Sequence, residues 1–129
     1  MQYATVRTIV GSLNYTMPAT NMHAEPRIVR STNALISNFR ILGYPYEYAT
    51  GIKTGSTPEA GYCLAASAQR GSRVLICVVL GAQRIKDADG VVVDACQFRD
   101  SRSRLELGLD RFDMSVLTAP AATRRLSPN

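Results

Sequence analysis

The chain has 129 residues, 46% hydrophobic and 19% charged, a composition that excludes a disordered or low-complexity protein. That length is one domain's worth or less, and a chain of this size buries roughly two-thirds of its unfolded surface, enough to hold a core without staples. The net charge is +5, but the cations are thirteen arginines plus Lys53 and Lys86, scattered diffusely and without tryptophan, so no nucleic-acid partner is expected.

The first 17 residues read as a short helix or irregular segment leading into a strand near residues 12–16. Met1 to Arg7 has no basic region followed by an apolar stretch, so no export signal is expected within these residues. Pro18 and the polar stretch Asn21 to Pro26 predict a loop. His23 lies in that loop with no second histidine or carboxylate pair beside it, and is expected to be solvated. Residues 38–48, with Phe39, Tyr44, Pro45, Tyr46 and Tyr48, predict a packed, turn-rich loop.

Three strands are predicted next, over residues 49–55, 62–69 and 73–81. Arg70-Gly71 is expected to form a two-residue hairpin loop between the second and third. The second strand is apolar or small on both faces, and Val74 to Leu80 is continuously apolar. Both patterns predict strands covered on both sides, which requires layers above and below the sheet. A seven-residue apolar run is far too short to span a bilayer. Phe98, Arg102, Leu105, Leu109 and Phe112 then recur at helical spacing, with Ser101 and Gly108 as small residues on the same stripe. They predict an amphipathic helix over 98–112 lying across the sheet. Residues 114–129 read as a tail or linker.

Few site patterns survive inspection. Cys63, Cys77 and Cys96 are odd in number and contain no C-x-x-C pair, which excludes a common zinc pattern and a complete disulfide framework. Two of them lie in apolar stretches and are expected to be buried free thiols. No dinucleotide, P-loop, H-E-x-x-H or G-x-S-x-G motif is present, and no metal or cofactor is predicted. What remains is Gly51-Ile52-Lys53-Thr54-Gly55-Ser56-Thr57. On a strand, Lys53 and Gly55 project opposite to Ile52 and Thr54. A strand edge ending this way offers an ammonium, a hydroxyl and an approachable backbone, because Gly55 has no Cβ. Such an edge can hold a peptide by strand addition while Lys53 attracts its C-terminal carboxylate.

The stretch from Gly51 to Ala68, with Lys-Thr-Gly at its centre, closely resembles the low-molecular-mass penicillin-binding proteins that are serine-type D-alanyl-D-alanine carboxypeptidases. Thr32-Asn33-Ala34-Leu35 resembles that family's T-N-x-L element, and Val78 to Ala82 the end of its following strand. Phe98-Arg99-Asp100-Ser101, with Leu105, Gly108 and Phe112, is similar to its closing helix. The resemblance covers roughly residues 8–112 in the family's order. It implies an α+β fold: an antiparallel sheet with a C-terminal helix packed across it, part of a β-lactamase/transpeptidase-like fold, with residues 1–113 forming the C-terminal half of a catalytic domain. It implies that Lys53, as the catalytic-site lysine, and Thr54 serve the substrate carboxylate beside Gly55, and that the Ser56 N–H completes an oxyanion hole. Arg99 matches a family arginine that also meets that carboxylate. The implied substrate is a peptidoglycan stem peptide ending in D-Ala-D-Ala, on the cell-wall side of the membrane, with β-lactams as ligands of the complete domain.

The chain also departs from the family. No serine has lysine three residues later, so the S-x-x-K nucleophile element is absent from these residues. The literal S-x-N matches at Ser12, Ser31 and Ser127 are not credible, since the family places this element far upstream of Lys-Thr-Gly. Gln83 to Gln97 is longer than the family's connection. The chain is therefore expected to be inactive alone, to expose an apolar face, and to self-associate or bind a polypeptide carrying the other half. The alternatives are a non-catalytic binding or assembly module and a class A β-lactamase segment; the continuation Ala60-Gly61-Tyr62 looks carboxypeptidase-like.

Overall fold

The computed structural model describes residues 3–111. The β-branched and small residues between 49 and 82 build its central sheet. β3 (Ala49–Thr57), β4 (Gly61–Arg70) and β5 (Arg73–Ala82) pair antiparallel in the order β3-β4-β5, so β3 is an edge strand. Before it come α1 (Ala4–Gly11) and a two-stranded ribbon of β1 (Asn14–Met17) with β2 (Arg27–Arg30). After it come a second ribbon, β6 (Arg84–Lys86) with β7 (Val92–Ala95), and the helix α2 (Cys96–Arg111). The three central strands and the helix match the sequence expectation closely. The β4–β5 loop is Gly71-Ser72, one residue later than expected, because Gly71 alone takes positive φ (61°), as a glycine-first hairpin turn requires.

The register decides which residues share a face. Leu64, Ala66 and Ala68 of β4 stand opposite Val79, Cys77 and Leu75 of β5 and opposite Thr54, Ile52 and Ala49 of β3. This face receives α2, which buries Phe98, Ser101, Leu105, Gly108 and Leu109. Gly108 lets the helix sit close: a Cβ there would lie 2.6 Å from Leu75 Cδ1. Arg70 and Arg73, at the two ends of the β4–β5 turn, both donate to the Leu109 carbonyl, and Arg70 also pairs with Asp110 at 2.7 Å. They satisfy carbonyl groups that a helix C-terminus leaves unpaired. The Phe112 end of the expected helix and the tail at 114–129 lie outside the described residues.

The opposite face corrects one expectation. β5 is not covered on both sides: Val74, Ile76, Val78 and Leu80 are 51–74% exposed, alternating with half-buried Leu75, Cys77 and Val79. Its apolar run makes both faces fit for burial, but among the described residues only α2 packs extensively against it. α1 covers the far end of the sheet, over β3. The three cysteines are half-exposed free thiols rather than buried ones. His23 is exposed, in a tight turn closed by backbone hydrogen bonds with Thr20.

The loop expected to be packed at 38–48 is packed at Tyr44, Tyr46 and Tyr48 but leaves Phe39, Leu42 and Pro45 exposed, and the segment 31–37 before it supplies more of the core. Asn33 Oδ1 accepts from the Leu35 N–H at 3.1 Å, an Asx-type turn that sends Leu35 fully into the core. The Leu35 carbonyl accepts from the Tyr46 N–H, and Tyr44 packs against Phe98 with ring centroids 5.8 Å apart. Burial raises the Tyr44 phenol above its ordinary value, so its hydroxyl stays protonated and donates to Asp94 while accepting from the Ala95 N–H. These bonds tie the loop to β7.

At Gly51 the backbone of β3 comes close against the backbone of α1. Gly51 takes φ 134° at a bulge in β3, and a Cβ there would meet the Val10 carbonyl oxygen at 2.7 Å. Gly51→Ala should therefore destabilise the chain by about 2 kcal/mol or more, from backbone strain plus displacement of α1. Urea unfolding of the purified chain checks this; an unchanged midpoint would contradict it.

Candidate active-site groove

After the bulge, residues 51–57 return to regular pairing, and this positions the motif. Lys53, Thr54, Gly55 and Ser56 stand opposite Ala65, Leu64, Cys63 and Tyr62 on one side, while their other side is the unpaired edge of the sheet. Lys53 and Gly55 lie on the face away from α2, and Thr54 on the face toward it, as the alternation predicts. Lys53 Nζ donates to the Thr54 carbonyl. The Thr54 hydroxyl lies 2.7 Å from the Thr32 hydroxyl, which ties the T-N-x-L turn to the Lys-Thr-Gly strand. Sequence reasoning found both elements but not this bond.

Gly55 has open space around it: a Cβ built there meets nothing within 4 Å, and its φ is not in the left-handed region. The fold itself does not require a glycine here. Gly61, which closes the β3–β4 turn at φ 63°, is a glycine the fold does require.

Along this edge runs a groove of about 290 Å³ lined by Thr32, Arg40, Ile41, Lys53, Thr54, Gly55, Ser56, Tyr62 and Arg84. Three of these are cations and none is an acid, so the groove suits an anionic group. Arg40, Ile41, Tyr62 and Arg84 were not singled out by sequence reasoning. Their signal lies in the pairing: Ser56 stands opposite Tyr62, and Tyr62 opposite Ala82, so Arg84 emerges at the end of the same row. Its guanidinium lies 4.0 Å from the centroid of the Tyr62 ring.

Arg99 lies elsewhere. It lies in the first turn of α2 and lines a separate depression with Val78, Leu80, Asp100 and Arg104. Its guanidinium is engaged by two carboxylates, Asp94 and, at 3.1 Å, Asp100. The structure thus brings Lys53, Thr54, Gly55 and Ser56 together and does not bring Arg99 into their groove. Among the described residues no cluster of His, Cys, Asp and Glu has the makings of a metal site, and no helix is long and apolar enough to cross a membrane.

A sequence profile of the family described as D-alanyl-D-alanine carboxypeptidase matches residues 7–84, more than half of the chain. The chain belongs to that family. It is 36% identical over 88 residues to the D-alanyl-D-alanine carboxypeptidase of Streptomyces sp. strain K15, covering 66% of this chain and 28% of that protein. It is 40% identical over 73 residues to a D-alanyl-D-alanine carboxypeptidase of Escherichia coli, covering 57% of this chain and 16% of that one. The chain therefore spans less than a third of the length of these relatives. In three dimensions it is similar to the Streptomyces K15 DD-transpeptidase (TM-score 0.51, 37% identity, 64% of this chain and 30% of that one). It is also similar to penicillin-binding protein D2 of Listeria monocytogenes, solved in a cefotaxime-bound form (TM-score 0.56, 26% identity, 83% and 34%). The fold is thus α+β of the β-lactamase/transpeptidase-like kind, and the chain is a segment of a serine-peptidase family domain.

The open space at Gly55 gives a direct test. Gly55→Ala should leave the unfolding free energy from urea titration within about 0.5 kcal/mol of the parent, since the new methyl meets no part of the chain. A loss of stability beyond about 1 kcal/mol would show that Gly55 serves the fold.

Proposed function

We propose that this chain is the substrate-edge segment of a serine-type D-Ala-D-Ala carboxypeptidase that trims peptidoglycan stem peptides on the extracytoplasmic side of the bacterial membrane. The observation that carries this reading is the unpaired β3 edge, where Lys53 to Ser56 border a cationic groove and Gly55 leaves space for a second backbone. A stem peptide lies antiparallel or parallel along that edge, its terminal carboxylate drawn by the Lys53 ammonium and bonded by the Thr54 hydroxyl. Thr32 orients that hydroxyl by the bond between them.

The chemistry is acyl transfer. A serine hydroxyl attacks the carbonyl between the two D-alanines, its proton passing to a lysine base, and a tetrahedral oxyanion forms. The Ser56 N–H stabilises that oxyanion, a contribution of about 3 kcal/mol for a donor of this kind. The C–N bond then breaks, terminal D-alanine leaves with a proton, and water hydrolyses the acyl-enzyme. These 129 residues contain no S-x-x-K, so the nucleophile and base come from polypeptide outside them. The exposed row Val74, Ile76, Val78 and Leu80 fits the same reading, as the surface on which the rest of the catalytic domain packs.

Mass spectrometry after incubation with excess penicillin tests the proposal. The chain alone should show no penicilloyl adduct, because removing nucleophile and base typically costs on the order of a million-fold in rate. Adding a family polypeptide that carries S-x-x-K should produce one adduct, on that polypeptide. A stoichiometric adduct on any serine of this chain alone would overturn the account.

A further inference from the structure

Three arginines compete for one task in this molecule, and their surroundings separate them. Arg40 lines the Lys53 groove but is exposed, and among the described residues no ring or amide fixes its guanidinium. Arginine suits a carboxylate because its planar fork matches both oxygens, whereas lysine acts as a point charge. Arg99 has its fork occupied by Asp94 and Asp100 and lies outside the Lys53 groove. Arg84 lines that groove, and among the described residues it has no carboxylate within ion-pair distance.

Arg84 is also held in place. Its guanidinium stacks over Tyr62 at 4.0 Å, a cation–π geometry that fixes its plane. With the Gln97 amide turned so that its oxygen faces Arg84, that oxygen accepts from Nε at 3.2 Å and from Nη2 at 3.0 Å. Gln97 is 2% exposed at the start of α2, a buried acceptor with a rigid mounting. This bond uses the Nε–Nη2 edge and leaves the Nη1–Nη2 edge open, a second edge able to grip a carboxylate with two parallel bonds. The residue sits at the first position of β6, in a ribbon closed by an Asx turn in which Asp87 accepts from the Asp89 and Val91 N–H groups.

We infer that Arg84, aligned by Tyr62 and Gln97, is the guanidinium that clamps the substrate's terminal carboxylate beside Lys53 and Thr54, a role the family resemblance would give to Arg99. This rests on the reading of the Lys53 groove as the stem-peptide site. Arg84 is the specificity-determining residue for a free C-terminal acid: a peptide ending in an amide offers no anion and only one acceptor oxygen.

The experiment is an NMR titration of the chain with N-acetyl-D-Ala-D-Ala as the acid and as its C-terminal amide. The parent should bind the acid better, with the Arg84 guanidinium ¹⁵N signals shifting on addition of the acid and not of the amide. Arg84→Gln should weaken acid binding about tenfold and leave amide binding unchanged, and Arg84→Lys should restore part of the difference. An acid preference that survives Arg84→Gln but falls with Lys53→Gln or Arg99→Gln would overturn the assignment while leaving the groove's role intact. Equal binding of acid and amide by the parent would overturn both. The guanidinium signals of the parent decide the question even where a variant unfolds.

Discussion

The pairing of β3 with β4 is the constraint on which the rest of this molecule depends. It leaves one edge of β3 open, and it sets Lys53 and Gly55 on the face away from α2 with Thr54 on the face toward it. A slip of one residue would exchange these faces, burying Lys53 under the helix and presenting Ile52 in its place. The bulge between Ala49 and Gly51 guards against that slip. Only a glycine accepts the bulge's backbone angle and the approach of Val10. The same register carries across the sheet, aligning Ser56, Tyr62 and Ala82, and so delivers Arg84 to the groove from two strands away.

The two faces of the sheet have different fates. One is closed by α2, whose fit depends on Gly108 and whose C-terminal carbonyl is held by Arg70 and Arg73. The other presents Val74, Ile76, Val78 and Leu80 in a row, and among the described residues α1 shields this face chiefly over β3. Lys53 lies on this same face, and under the proposed function the row is where the rest of the catalytic domain packs.

Much of this was legible in the amino-acid sequence, for reasons that are local. Strand alternation, the helical stripe from Phe98 to Leu109 and the motif Lys53-Thr54-Gly55 are written in short windows, and each is found where it was expected. The failures are non-local. The apolar run in β5 reports what a strand is fit to touch, not which chain covers it: the run alone predicted cover on both faces, and the exposed apolar face was expected only from the absent S-x-x-K half of the family domain. The β6–β7 ribbon was missed although Asp89-Gly90 is a turn signal, because its strands have only three and four residues. Arg84 was invisible for a related reason: its value comes from Tyr62 and Gln97, 22 and 13 residues distant. Arg99 stood out because it fits a linear pattern. The structure shows that guanidinium already occupied by carboxylates.

The central claim is that the open β3 edge receives the ligand backbone with its carboxylate in the cationic groove. The most direct measurement is a crystal structure of this chain combined with a family polypeptide carrying S-x-x-K and acylated by a β-lactam. The account predicts the ligand along Lys53 to Thr57, its carboxylate at Lys53 and Thr54 and its acyl oxygen within 2.7–3.1 Å of the Ser56 nitrogen, the distance of an oxyanion-hole bond. A β3 edge paired to another strand, or a ligand bound away from it, would contradict the account.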